Sequence, residues 1–425
     1  MEVSIKKRYF VDLFAGCGGL SLGLEKAGFT PALVNEINPD AMETYLINRD
    51  DEFPLLRKKY RVNDVKEFVG NEALCSKIID DMLVDYGIDV RNGDLDLLVG
   101  GPPCQGYSGI GHRRSYSVEK SELPSNHLYL DMANLIKKFS PKIFMFENVK
   151  GILSGKWTSD GVKGEIWKDV YNAFLEIENY AVRWKLVHSK DYGVPQNRPR
   201  VLLVGIRKDI MCGDDLSEDA FEAGFLPLPS NNYPSLSDLL GDLVDDEFEY
   251  GGENRHYLTE PKNEFQRRLR TNKQGQILGQ GHVLAEQEYG KHTERVIEKF
   301  THMLNNNGEI PVKYKTKKFA QKVLPSTWGA KGPTITATCL PDDYVHYSQP
   351  RILTVREWAR LQMFPDWYIF SGKRTTGGVR RAGNPREGVY DRELPKYTQI
   401  GNAVPVQLAE KVGVHLYQFL EENDD

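Results

Sequence analysis

Between Tyr9 and Ile206 short apolar runs alternate with amphipathic stretches, and a chain patterned in that way has few ways to bury both. Tyr9–Phe14 (YFVDLF) reads as a strand, followed by the glycine turn AGCGG and by LSLGLEKAG, a helix-like stretch that stops at Gly28. Ala32–Glu36 is a second strand candidate, with Ala41–Asn48 as its helix. Asp94–Val99 (DLDLLV), Lys142–Phe146 (KIFMF) and Arg200–Ile206 (RVLLVGI) are further apolar runs, separated by helix-like segments such as Leu128–Phe139 and Ile166–Ile177. The alternation predicts an α/β fold, a mostly parallel, doubly wound sheet with helices on both faces.

The alternation ends near Lys208. Asp209 to Asn254 hold no Lys or Arg while acidic residues recur, which reads as a linker and a solvated face turned away from any polyanion. The charge then reverses, with 14 Lys and Arg against 8 Asp and Glu from Gly251 to Val323, clustered as QRRLR (266–270) and KYKTKK (313–318). A third basic stretch, Ser371–Lys396, contains GKRTTGGVRRAGNPR. A single basic run is usually solvated surface, but several in one half of a chain favour a polyanion, although the net charge of -5 gives no global reason for one.

At 425 residues the chain is well beyond the ~150 usual for one domain, so two domains or one large domain with an insertion are expected. Hydrophobic residues at 40% and charged residues at 27% exclude a mostly disordered chain and a coiled coil. No stretch approaches the ~20 apolar residues of a bilayer span. The N-terminal apolar stretch is interrupted by Asp12, unlike a secretory signal. The five cysteines are far apart with no CxxC pair, which excludes an obvious disulfide framework or clustered zinc site and implies no metal. These features describe a soluble intracellular protein.

A strand ending in Phe14, then Ala15-Gly16-Cys17-Gly18-Gly19, then a helix is what a nucleotide-like cofactor needs. Glycines let the backbone turn and the cofactor approach, and the helix N-terminus supplies unpaired N–H groups. Ser21 stands where the last glycine of GxGxxG would fall, so the turn alone is a weak signal, and a purely structural turn is its alternative. Glu36, twenty residues beyond Gly16 at the end of the second strand, can accept both ribose hydroxyls. Asp64 stands where a third strand should end and can accept from an adenine amino group. Acids at the ends of two successive strands suit adenosine better than a pyrophosphate.

Gly100-Gly101-Pro102-Pro103-Cys104-Gln105-Gly106-Tyr107-Ser108 follows directly on DLDLLV. A free cysteine is more often a small buried hydrophobe, but here a stiff turn at the sheet's carboxyl edge would hold a thiol in place as a nucleophile must be held. The next strand ends in Phe146-Glu147-Asn148-Val149, where Glu147 can donate a proton if desolvation favours its neutral form. A helix N-cap is the plainer role there, and Asn148 would serve it better. Gln196-Asn197-Arg198-Pro199-Arg200 brings two guanidiniums suited to a carbonyl oxygen or a phosphate. Cysteine, acid and arginine at one edge suggest covalent addition to a polarised ring.

DLFAGCGG (12–19), GGPPCQGYS (100–108), FENVKG (146–151), QNRPR (196–200), RILTVREWARLQMFPD (351–366) and QIGNAVP (399–405), in this order, make the chain resemble the C5-cytosine DNA methyltransferases of bacterial restriction-modification systems. The motifs span nearly the whole chain apart from the middle. The resemblance implies a Rossmann-like class I methyltransferase domain, discontinuous over 1–206 and 391–425, and a target-recognition domain over 207–390. The last helix, Val406–Leu420, would return to pack beside the first strand. The resemblance makes Cys104 the nucleophile at C6 of cytosine, Glu147 the group on N3, and Arg200, with Arg198, the contact to O2. Phe14, Gly16, Gly18, Glu36, Asp64, Pro103, Asn402 and Val404 match positions that bind S-adenosylmethionine and its product S-adenosylhomocysteine, and Ile37 stands where it can pack on adenine.

Ser108 to His127 is a long polar loop after the nucleophile, and long loops without structure are usually functional or disordered. It is expected to close over a flipped base in double-stranded DNA, with His112, Arg113 or Arg114 touching phosphates and Gln105 and Ser108 also at the nucleic acid. Pro333-Thr334-Ile335-Thr336 looks like the element that supports the neighbouring phosphate in relatives, through Thr336. Three rivals remain: a Rossmann oxidoreductase with a redox cysteine, a tRNA cytosine-5 methyltransferase, and a catalytically inactive DNA-binding partner. The first leaves Asp64, Glu147 and the arginines without roles. The long stretch between 200 and 351 favours DNA over tRNA. The implied setting is a prokaryotic cytoplasm, at the nucleoid through DNA, as a monomer with no membrane, with a cognate restriction endonuclease acting separately.

Overall fold

The computed structural model describes residues 6–103, 127–158, 160–211, 218–230, 232–315, 321–325, 334–335, 343–375 and 393–423. Its centre is a seven-stranded sheet built from β1 (Arg8–Leu13), β2 (Phe29–Asn35), β3 (Arg61–Val62), β4 (Leu97–Gly100), β5 (Ile143–Val149), β6 (Tyr180–His188) and β7 (Pro199–Arg207). The strand order is β3-β2-β1-β4-β5-β7-β6. β3, β2, β1, β4 and β5 pair in parallel, while β7 runs antiparallel to both β5 and β6. The sheet is thus mostly parallel with one reversed strand, as the alternation predicts. A second, parallel pair, β8 (Lys322–Val323) and β9 (Tyr344–Val345), lies apart from it.

The central strands are buried on both faces, which is why they read as unbroken apolar runs. Phe10, Leu97, Val99, Met145, Leu202 and Val204 point into one core with α1 (Gly19–Lys26) and the C-terminal helix Val406–Glu422. Val11, Leu13, Leu98, Phe144, Phe146 and Leu203 point into the other, with α2 (Pro39–Ile47), α3 (Pro54–Lys58), α4 (Val65–Gly70), α5 (Glu72–Tyr86), α6 (Leu128–Phe139) and α7 (Glu165–Leu175). In α6 the buried set Met132, Ala133, Leu135, Ile136 and Phe139 follows the helical repeat, and Lys137 and Lys138 in the last turn complement its dipole. Asn38 caps α2 by accepting from the N–H groups of Asp40 and Ala41, with Pro39 opening the helix.

The C-terminal helix packs on α1. Gly23 lies so close to it that a Cβ would overlap Ala409, and Tyr417 meets Phe29 edge-on at 5.2 Å and lies 5.2 Å under the Arg8 guanidinium of β1. This contact brings the end of the chain back beside the first two strands.

One expectation from charge is overturned and another holds only in part. The acidic stretch is no solvated linker in its second half: Leu236, Leu239, Leu240 and Leu243 are buried, and Asp242 is fully buried between Arg270 and Arg360. In QRRLR only Arg270 is interior, buried against Asp242, while Arg268, paired with Glu410, and Arg267, paired with Glu264, remain at the surface. The arginines of RILTVREWARLQMFPD are interior as well. Arg351 pairs with Glu357 at 2.7 Å, and Arg360 with Asp366 at 2.5 Å. These arginines face buried acids, and Arg356, 3.9 Å from Asp366, donates instead to the Pro365 and Tyr368 carbonyls, so the interior charges are paired or hydrogen-bonded. One apolar cluster runs from Phe10 and Met145 through Leu239 and Leu269 to Trp358 and Leu416, so the middle region shares a core with the sheet.

Candidate active site

At the carboxyl end of β1 the backbone turns through Phe14 (φ 60°), Gly16 (φ 57°) and Gly18 (φ 82°) into α1. The left-handed region suits glycine, and among the described residues a Cβ on Gly16 would meet nothing within 4 Å. The Gly16 N–H donates to Glu36 Oε2 at 2.8 Å, and the Asn38 N–H donates to Glu36 Oε1 at 2.7 Å. Burial raises the pKa of Glu36, against the pull of the Asn38, Gly16 and Ile37 N–H groups. A carboxylate has about four acceptor positions, so acceptor capacity remains beyond these N–H groups for a ribose hydroxyl. Ile37 beside it is 70% exposed, an apolar surface at the mouth of the turn. Asp64 caps α4, its Oδ1 accepting from the Lys66 N–H at 2.8 Å.

On the far side of this loop lies QIGNAVP. A Cβ on Gly19 would overlap the Val404 carbonyl oxygen, so glycine is required for the approach. The Cys17 thiol donates to the Gln399 carbonyl at 3.4 Å, and burial pushes its pKa up to about 12, which makes this cysteine a buried structural thiol. Asn402 is exposed and Val404 partly so, at the same end of the sheet. The glycine turn at Gly16, acceptors at Glu36 and Asp64, and an apolar face at Ile37 form a set that fits an adenosine-bearing cofactor.

Two strands away, Glu147 of β5 is buried and its Oε1 takes an ion pair with Arg200 Nε at 2.6 Å. Arg200 reaches it because β7 is reversed: its first residues register with the last of β5, Arg200 facing Val149 and Leu202 facing Glu147. The GGPP backbone comes to the same place, since a Cβ on Gly101 would meet Glu147 Oε2 at 3.0 Å. Asn148 donates to the Pro102 carbonyl at 3.2 Å and so ties that turn to β5, a role other than the helix cap considered for it. Pro103 is exposed at the lip. Cys104, Gln105, Ser108, His112, Arg113, Arg114 and Thr336 lie outside the described residues.

Arg198 is placed differently from Arg200. It is buried, donating to the carbonyls of Ile335, Gly401 (2.7 Å), Asn402 (3.3 Å) and Ala403 (3.1 Å). Gln196 accepts from the Ile335 N–H at 3.0 Å and donates to the Leu361 carbonyl at 2.8 Å, while Thr334 donates to the Asn197 carbonyl. The QNRPR segment thus clasps the Thr334-Ile335 element and the end of the helix Lys396–Asn402.

Two residues with no role assigned from sequence organise the site. Asn35, buried at the end of β2, accepts from the Phe14 N–H at 3.2 Å and donates to the Val62 and Asn63 carbonyls, both at 3.0 Å. Its signal was a polar side chain closing the apolar run FTPALVN. Asp12, buried within β1, accepts from Ser21 Oγ at 2.5 Å, and its Oδ1 has no hydrogen-bond partner among the described residues. Burial raises its pKa to about 7, against the opposing pull of Ser21 and Arg49.

The description C-5 cytosine-specific DNA methylase matches residues 9–418 of this chain. The type II methyltransferase M.DdeI of Desulfomicrobium norvegicum is 30% identical over 430 residues, covering 97% of this chain and 89% of that one. The type II methyltransferase M.XorII of Xanthomonas oryzae is 28% identical over 443 residues, covering 98% and 86%. Among solved structures, a prophage-encoded protein of Escherichia coli shares the fold with a TM-score of 0.65 at 23% identity, over 98% of this chain and 100% of that one.

Proposed function

The chain belongs to the C-5 cytosine-specific DNA methylase family, and from that premise we propose a sequence-specific enzyme that methylates cytosine in double-stranded DNA within a bacterial restriction-modification system. The observation that carries the reading is the Glu147–Arg200 ion pair lying against the backbone that leads into Cys104.

A thiol cannot reach C5 or C6 inside a base stack, so the cytosine is extruded from the duplex. Cys104, as thiolate, adds to C6, and the ring electron pair moves to C5. Glu147 holds or protonates N3 while the Arg200 guanidinium holds O2, which draws charge from the ring as the bond forms. S-adenosylmethionine, when bound, supplies an electrophilic methyl group for C5 and leaves as S-adenosylhomocysteine. Loss of the C5 proton and expulsion of the Cys104 thiolate then restore the aromatic ring. Phe14, Gly16, Gly18, Glu36, Ile37, Asp64, Pro103, Asn402 and Val404 hold the cofactor, Glu36 at the ribose and Asp64 at the adenine amino group. Arg198 contributes by holding Gly401, Asn402 and Ala403 in place.

Gln105, Ser108, Arg113, Arg114 and Thr336 contact the DNA. Residues 1–206 and 391–425 form the catalytic domain and 207–390 hold the target-reading region, whose segment 351–370 packs into the core of the sheet. The enzyme acts as a cytoplasmic monomer at the nucleoid, with any cognate endonuclease separate.

Bisulfite sequencing tests the reading in a host lacking cytosine methylation, with this protein expressed beside its Cys104→Ala variant. One short motif protected from conversion only with Cys104 is expected. No protected cytosine, with the protein soluble and expressed, overturns the reading in favour of tRNA or a binding role.

A further inference from the structure

The turn that carries Gly16 is held from behind by two side chains outside the motif. Tyr368, fully buried, donates its hydroxyl proton to the Cys17 carbonyl at 2.6 Å and accepts from Arg49 Nη1 at 3.0 Å. Arg49 Nη2 donates to the Gly18 carbonyl at 3.3 Å, and its Nε donates to Glu25 at 2.7 Å. Both groups press on the turn, since a Cβ at Gly18 would lie 2.8 Å from the Tyr368 hydroxyl and 2.9 Å from Arg49 Nη1.

A trans peptide is planar, so a carbonyl drawn inward sends the N–H of the same unit outward. The Gly18 carbonyl, held by the Leu22 N–H at 2.9 Å as well as by Arg49, directs the Gly19 N–H away from it, and fixing the Cys17 carbonyl against Tyr368 sets the plane of the unit before. Phe14, Gly16 and Gly18 all have positive φ, and glycines offer other paths when nothing holds their carbonyls. Tyr368 is itself braced. Asn48, at the end of α2, donates to the Ile369 carbonyl at 2.8 Å and accepts from the Ile369 N–H at 3.0 Å. Two residues before Tyr368, Asp366 pairs with Arg360, which also binds Asp242.

We propose that Tyr368, with Arg49 behind it, is a positioning residue that sets the cofactor loop, so that the segment after Arg360 determines how well the loop receives its adenosine-bearing ligand. The proposal rests on the cofactor reading above.

The test uses the full chain and S-adenosylhomocysteine as probe, with its dissociation constant read by calorimetry. Tyr368→Phe should weaken it about tenfold, the factor expected when a buried carbonyl loses its donor and the turn relaxes. The KM for S-adenosylmethionine should rise with it, while kcat at saturating cofactor and the DNA dissociation constant stay within about twofold, a split that a general loss of packing would not produce. If Tyr368→Phe does not fold, Arg49→Lys, which cannot reach Glu25, Tyr368 and the Gly18 carbonyl together, should weaken the probe in the same direction. Unchanged probe binding in the folded variant, or equal losses for DNA and probe, overturns the positioning role alone. Wild-type protein that failed to bind the probe would overturn the cofactor reading and this role with it.

Discussion

Arg198 and Arg200 sit two residues apart in one motif, and the structure separates what each does. Replacing Arg198 with lysine keeps the charge but exchanges a planar fork for a single ammonium, which cannot reach the Ile335, Gly401, Asn402 and Ala403 carbonyls together. With two of these bonds lost at roughly 1.5–3 kcal/mol each for a charged donor, the destabilisation is about 3–6 kcal/mol. Unfolding entropy of ~2.1 cal/mol/K per residue gives ~0.9 kcal/mol/K for a chain this long, so the melting temperature should fall by about 3–7 °C. Arg200→Lys keeps a cation beside Glu147 and should lower the melting temperature by under ~2 °C, while reducing kcat/KM at least ~100-fold through loss of the planar contact to the ring. Thermal unfolding and steady-state methyl transfer on both variants decide the matter. An Arg198→Lys protein that melts like wild type yet loses turnover as Arg200→Lys does would refute this division of roles.

Asp12 keeps its proton to about pH 7 in the folded protein but releases it near its ordinary value when unfolded, so the native state binds the extra proton and stability falls as pH rises from about 4 to about 7. Asp12→Asn still accepts from Ser21 and should flatten that decline in a melting-temperature series; a slope parallel to wild type would remove Asp12 as its source. Gly23→Ala forces a methyl into Ala409 and should destabilise by about 1–3 kcal/mol in a denaturant titration, with S-adenosylhomocysteine binding unchanged in the folded fraction. Wild-type stability in that variant would mean that α1 and the C-terminal helix can separate freely.

Where interior chemistry is uniform, the sequence was legible. β1, β2, β4, β5 and β7 are apolar runs because both faces of the sheet are covered by packed cores, and α6 matches its predicted bounds because its buried residues repeat at helical spacing. β6 was not read as a strand: it lies at the sheet's edge, where Arg183 and Lys185 interrupt the apolar run. Charge misled where partners are distant. QRRLR looks like a basic surface until Asp242 and Glu410, far away in sequence, neutralise it. The same limit applies to the site. Glu147 was found as an acid at a strand end, but Arg198 could be told from Arg200 only by the carbonyls around it, and Asn35 only by the ends of β1 and β3 that it joins.

The clasp between Cys17 and Gln399 joins residues 382 positions apart. A ribosome adding ~5–20 residues per second needs roughly 20–80 s to travel from one to the other. During that interval the glycine turn exists without the segment that packs on Gly19 and receives the Cys17 thiol. Chains that stop before Lys396 therefore carry every strand of the sheet but an unfinished cofactor loop. Completion of that turn therefore waits on the helix Lys396–Asn402, long after the strand that carries it has been made.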